Sequence, residues 1–419
     1  MVELEVWWMR VLRTTIAVSL MAALITLLPL PARASVKKTH HSHAAGNQQK
    51  TEVQPFKGAL IEDADSGRVL YELNADMTWP PASMAKMMLL LVAEDQVKAG
   101  RVNLDDPVRV SERSAHTGGS RIGLIEGQVY PLGELMKAAL IKSANDAAVA
   151  VAEKIGGSVE ATVRMMNARA QELGMTHTEY HTVDGLPPRP AHDVDQTSAH
   201  DLAAVARAII QNTDLLKWSG LEEAEFDGGV CTLHNTNHLI GHLDGCDGLK
   251  TGFTFQAGFN LTATAKRGNL RLVTVILGAP SNQQRFAQTA KLMEWGFDHY
   301  TAVPLLKSGE ALPVQVQVET GQYIQPIVAR ELKVVLPRED TAGIKLEYRI
   351  PNAVSGPIKA GEQIGLVVVH DRDGVVTEAA ALSPVSVSLP SDGAAGGADN
   401  WNAAKPTAYN QTPQEQENQ

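Results

Sequence analysis

Cysteine is nearly absent from this chain: Cys231 and Cys246 are the only two in 419 residues. One disulfide is therefore the most it can form, and the sequence leaves open whether that bridge exists. Blocks of basic residues are missing as well, and the formal net charge is −10. That argues against nucleic acid as a partner. Long apolar runs are confined to one place, Thr14 to Leu30, which is short for a membrane span. The histidines of Thr39-His40-His41-Ser42-His43 have no cysteine or carboxylate beside them, so a tether explains them better than a metal site. Residues 391–419 carry no apolar stripe, and an amphipathic membrane anchor at that end has no support.

An ordinary globular apolar content of 44% and enough length for two or three domains are present. Arg10 and Arg13 precede the apolar run, and Pro31-Ala32-Arg33-Ala34 follows it, which is the pattern of an export signal cleaved after Ala34. Glu3 and Glu5 are out of place in a positive leader, so Met9 is a candidate start. The expected organisation is a signal peptide over 1–34, a disordered linker over 35–55, a main domain over 56–300, a small β-sandwich over 304–390 and a disordered tail over 391–419.

The main domain opens with a hairpin signature, Ala59–Glu62 and Val69–Glu72 around Asp63-Ala64-Asp65-Ser66-Gly67. Pro80-Pro81 then halts the chain. Met, Leu, Ala and Lys follow without Gly or Pro until Gly100, so a buried helix is expected with Ser83 in its first turn. Further helices are expected over Leu132–Ile141, from about Ala147 to Ile155, from Ser158 to Gly174, from Ser198 to Ile210 and over Ser281–Tyr300. Asp201, three residues after Ser198, suggests a capping box. Three strands joined by short turns are expected between Leu249 and Leu277. The layout is α+β, with helices packed on an antiparallel sheet. Beyond Pro304, short alternating runs separated by turns predict a small all-β domain without a cluster of catalytic residue types.

Three short motifs stand in chain order: Ser83-x-x-Lys86, Ser143-Ala144-Asn145 and Lys250-Thr251-Gly252. Each alone has a plain alternative, a helix cap or a solvated lysine. Together they supply the parts of acyl transfer. Three residues apart on a helix, Ser83 and Lys86 share a face. Burial lowers a lysine pKa, and a neutral amine beside a hydroxyl is a base beside a nucleophile. Ser143, hydrogen-bonded towards Lys86 or Lys250, is a candidate to protonate the leaving amine. Asn145 offers an amide to a substrate peptide bond. Lys250 and Thr251 can hold a carboxylate, and Gly252 lets a substrate backbone approach the strand. The oxyanion requires two N–H donors, assigned to the backbones of Ser83 and Phe253.

These motifs are the set associated with penicillin-binding proteins and class A β-lactamases, with S-A-N in place of S-D-N. The chain resembles the low-molecular-mass penicillin-binding proteins, the serine-type D-Ala-D-Ala carboxypeptidases, over about residues 55–300. Pro81-Ala82-Ser83-Met84-Ala85-Lys86-Met87-Met88, Ser143-Ala144-Asn145-Asp146-Ala147, Asp247-Gly248-Leu249-Lys250-Thr251-Gly252 and Gly258-Phe259-Asn260 carry the likeness. The resemblance implies the penicillin-binding transpeptidase/β-lactamase-like fold, no cofactor, and removal of the terminal D-alanine from peptidoglycan stem pentapeptides. It also implies acylation of Ser83 by β-lactams. Phe253 replaces the histidine that members often carry after Lys-Thr-Gly, and His200 stands where some have arginine.

Rival functions fare less well. A class A β-lactamase needs Glu-x-x-x-Asn, and Glu160, Glu172 and Glu179 are followed four residues on by Arg164, Thr176 and Val183. Cleavage of cross-links by the same site, a DD-endopeptidase activity, stays open. A non-catalytic peptidoglycan binder is at odds with intact Ser83, Lys86 and Lys250. His234, His238 and His242 have helical zinc-ligand spacing, but their surroundings look strand-like and are broken by Asn and Gly.

Overall fold

The computed structural model describes residues 55–187, 193–339, 343–372, 374–388 and 409–411. The expected signal, nearly all of the expected linker and most of the expected tail lie outside the described residues.

Strand β1 (Gly58–Asp63) is buried along its whole length, and β2 (Val69–Leu73) pairs with it as an edge. Their turn is held by the Asp63 carboxylate, which accepts from the Ser66 backbone N–H at 2.8 Å and from the Ser66 hydroxyl at 2.5 Å. The three strands expected later are β3 (Cys246–Thr254), β4 (Gly258–Arg267) and β5 (Leu270–Ala279). They complete an antiparallel sheet in the order β2-β1-β5-β4-β3, so the first and last strands of the domain pair near its centre and β3 is left at an edge.

Alternation along the strands decides what covers each face. Leu60, Val273 and Val275 join the core of the helical block. Their neighbours Ile61 and Leu272 join Met293 and Phe297 of the closing helix on the other face. The block holds α1 (Ala85–Lys98), α2 (Leu132–Ile141), α3 (Asn145–Gly156), α4 (Val159–Glu172) and α5 (Ala199–Asn212); α6 (Asn282–His299) is the closing helix. Helix α1 is buried from Ala85 through Glu94, which fits a sequence apolar all round. Ser158, Ser198 and Ser281 each accept a backbone N–H at a helix start. The expected capping box at Ser198 is only half formed. Asp201 turns instead to the His177 N–H and the Thr178 hydroxyl, at 2.9 and 2.7 Å.

The second domain begins at β6 (Tyr300–Leu306), directly after α6 and ahead of the expected boundary at 304. Pro304 lies within β6, at a register irregularity in its pairing with β7 (Leu332–Pro337). Strands β8 (Lys345–Arg349), β9 (Gln363–Asp371) and β10 (Gly374–Leu382) form an antiparallel group, and Tyr409–Gln411 adds to the free side of β8. A separate apolar core includes Leu312, Val316, Leu332, Val367 and Ala381. Between the domains, Arg68 donates to the Val335 carbonyl at 3.0 Å and to the Asp371 carboxylate at 2.8 Å. Cys231 and Cys246 are both free thiols.

Candidate active site

Ser83 sits in a 3-10 turn, Ala82–Met84, that feeds α1. Ala82 holds φ at +50° and Ser143 at +61°, conformations that cost a residue with a side chain on the order of 1–3 kcal/mol. Both flank the expected chemistry, and strain of this kind persists only where surrounding packing imposes it.

That packing can be named. Gly185 has φ +78°, and a Cβ there would lie 1.8 Å from the Ala82 carbonyl oxygen. A Cβ on Gly252 would lie 2.5 Å from the Pro81 carbonyl oxygen and 3.3 Å from the Ala82 Cβ. Strand β3 and the loop through Gly185 therefore close on the serine turn from two sides. This adds a reason for Gly252 beyond the expected approach of a substrate backbone: its missing side chain admits the protein's own turn. Asn260 on β4 secures the same turn by donating to the carbonyls of Pro80 at 2.9 Å and Pro81 at 3.3 Å.

Lys86 is fully buried one turn on. Its amine donates to the Ser83 hydroxyl at 3.0 Å, to Asn145 Oδ1 at 2.6 Å and to the Asp184 carbonyl at 2.8 Å. Burial pushes the amine down to about 8, with the charges of Asp184, Asp195 and Asp146 pulling the other way. The first and second motifs thus meet through Lys86 and Asn145. The other end of the Asn145 amide donates to the Gly118 carbonyl at 2.8 Å, so this residue holds the Lys86 amine in place, a contact the sequence did not reveal.

Ser143 is buried at the break between α2 and α3. Among the described residues its hydroxyl bonds to neither Lys86 nor Lys250, contrary to expectation: the Lys86 amine is shared among Ser83, Asn145 and Asp184, and the Lys250 amine goes to the Thr251 carbonyl. Lys250 is buried on β3, and its amine donates to the Thr251 carbonyl at 3.0 Å. Burial holds that amine well below its ordinary value, and the charges of Lys86 and Arg285 lower it further. The Thr251 hydroxyl donates to that of Thr236 at 2.8 Å. Phe253 is 44% exposed and packs on Phe259, with ring centroids 4.3 Å apart. His200 is engaged elsewhere, between Glu72 and Asp76.

Sequence reasoning missed a set of supporting groups. Asp146 is buried and accepts the backbone N–H groups of Ile122, Gly123 and Leu124. Asp195 accepts those of His181 and Thr182 and the Thr182 hydroxyl; burial raises its carboxyl, against those hydrogen bonds. The Asp184-Gly185 dipeptide was the available clue to the loop behind Ser83. Arg285, buried on α6, gave no clue. Of the spaced histidines, His234 lies in a short strand.

The family model for D-alanyl-D-alanine carboxypeptidase, peptidase S11, matches residues 45–281, more than half of the chain. The chain belongs to the D-alanyl-D-alanine carboxypeptidase family. A second model, the C-terminal domain of penicillin-binding protein 5, matches residues 300–388. The D-alanyl-D-alanine carboxypeptidase DacF of Bacillus subtilis (strain 168) is 35% identical over 79% of this chain and 84% of its own. The solved structure of penicillin-binding protein 5 from Haemophilus influenzae is similar at TM-score 0.68 and 27% identity, covering 81% of this chain and all of that one. Penicillin-binding protein D2 from Listeria monocytogenes, solved in the ampicillin-bound form, is similar at TM-score 0.54 and 29% identity, over 59% of this chain and all of that one. This carboxypeptidase is accordingly a serine-type hydrolase, with an α+β domain followed by a small all-β domain.

Proposed function

We propose that this carboxypeptidase removes the terminal D-alanine from peptidoglycan stem pentapeptides, outside the cytoplasm, through an ester on Ser83. The observation that carries the reading is the buried Lys86 amine 3.0 Å from the Ser83 hydroxyl. In its neutral form the amine takes the hydroxyl proton as Ser83 Oγ attacks the penultimate D-alanine carbonyl. The peptide C–N bond breaks, and the departing D-alanine amine takes back that proton from the Lys86 ammonium. Water then hydrolyses the ester, with Lys86 again accepting a proton, and Ser83 is restored. Backbone N–H groups of Ser83 and Phe253 face the carbonyl oxygen as its charge grows. Lys250 and Thr251 receive the terminal carboxylate, which in turn favours the charged form of the Lys250 amine.

Location outside the cytoplasm is supported by the N-terminal sequence, Arg10 to Ala34. Among the described residues, no helix is long and apolar enough to cross a membrane. Acylation of Ser83 by β-lactams is supported by the likeness to the ampicillin-bound Listeria protein. The test is incubation with a stem pentapeptide and, separately, with a cross-linked peptide dimer. Release of free D-alanine from the pentapeptide is the expected outcome; cleavage of the dimer alone would replace the carboxypeptidase reading with the endopeptidase one.

A further inference from the structure

Arg285 is a buried cation without an anion. It is 7% exposed and lies between the rings of Phe286 and Phe259, with centroids 4.7 and 5.6 Å from the guanidinium carbon. Burial lowers it to about 10, and no acidic group offsets that. Among the described residues its Nε has no hydrogen-bond partner. Burying a charge that has no counter-ion is costly, so an arginine kept in this state needs a reason beyond packing.

Its contacts supply one. A terminal nitrogen of Arg285 donates to the Gly252 carbonyl at 3.2 Å and to the Asn260 carbonyl at 3.3 Å. Gly252 C=O and Phe253 N–H belong to one planar trans peptide, so they point in opposite directions. A cation drawing on the oxygen fixes the plane and increases the positive charge on the hydrogen at the other end. Aromatic walls exclude water from this contact and strengthen it. Asn260, the second acceptor, is the residue that also ties down the serine turn.

We propose that Arg285 is a positioning residue for the oxyanion site: held behind β3, it orients and polarises the peptide that presents the Phe253 N–H to the reacting carbonyl. The inference rests on the role given above to that N–H. It separates Arg285 from a residue that binds the substrate's carboxylate, whose loss would weaken binding and leave the chemical step intact.

The experiment uses benzylpenicillin and the full chain with Arg285→Met and Arg285→Lys, reading the acylation rate constant, kcat and KM on a D-Ala-D-Ala peptide, and the infrared carbonyl stretch of the Ser83 ester. Arg285→Met is expected to slow acylation about 10- to 100-fold, less than loss of an oxyanion donor itself. KM should stay within about twofold, and the ester carbonyl should move to higher wavenumber as its polarisation weakens. Arg285→Lys, which retains the charge and loses the fork, should fall between, and it carries the test if the Met variant does not fold. A rise in KM with kcat unchanged would overturn the inference, as would a carbonyl stretch that neither variant moves. A wild-type protein forming no ester would overturn both this inference and the proposed function. An ester that forms but ignores Arg285 overturns this inference alone.

Discussion

The two domains of this carboxypeptidase bury different things. In the first, charged and polar side chains are enclosed at the centre: Lys86, Asn145, Asp146, Asp184, Asp195, Lys250 and Arg285. In the second, Ser383 is the one buried polar side chain among the described residues beyond 300, and the core is otherwise aliphatic apart from Tyr348. Enclosing charge costs stability unless each group is satisfied, whereas an aliphatic core stabilises without directional partners. In the first domain, Asp146 and Asp195 offset that cost by holding loop N–H groups, whereas among the described residues Lys86, Lys250 and Arg285 lack a directly paired carboxylate. The second is built for shape, and its ion pairs, such as Glu347 with Arg349 and His370, lie at its rim.

That contrast can be broken or sharpened by experiment. The largest effect is expected from Lys86→Met, which removes the base while keeping the volume. Acylation should fall by at least about 10⁴-fold with little change in thermal stability, as read by penicillin labelling and calorimetry. In the wild type, the amine lies near 8 and must be neutral to act. Below that pH it is protonated and inactive, so kcat/KM should rise about tenfold per pH unit on the acid side and level off above about 8. A profile flat from pH 5 to 9 would exclude Lys86 as the titrating base.

Asp146→Asn mixes both kinds of effect. The variant removes acceptor capacity from a carboxylate holding three backbone N–H groups, which should cost about 2–3 kcal/mol in denaturant unfolding. The Asp146 charge also raises the Lys86 pKa, so its removal should shift the acid limb to lower pH. Leu332→Ala, at a fully buried position of the second core, should cost about 2–5 kcal/mol and leave acylation by penicillin within about twofold. Loss of acylation in that variant would mean the β domain shapes the site after all. Arg68→Ala tests the seam. The Arg68–Asp371 pair is partly exposed, so removing it should cost about 1 kcal/mol in thermal unfolding without altering kcat/KM.

Local pattern made much of this legible. The hairpin, α1, α2, α6 and the three C-terminal strands of the first sheet follow from apolar period, serine caps and glycine turns, all encoded within a few residues. The motif residues Ser83, Lys86, Asn145 and Lys250 stood out by type and spacing. What each one touches did not. Asn145, expected at the substrate, is also a partner of Lys86; Gly252, expected to admit a substrate backbone, also leaves room for the turn at Pro81. Ser143 was expected on a lysine and is on neither.

The order of residues in this chain determined which side chains can attack, accept a proton or bind an anion, because those capacities belong to a residue and its immediate turn. Tertiary structure decided which of them act together. The Lys86 amine is held below its ordinary pKa because the loop at Asp184 and the start of α3 take it out of water, and Arg285 reaches the site because α6 brings it behind Gly252. Desolvation and close approach depend on segments far apart in the chain, and no local pattern encodes them.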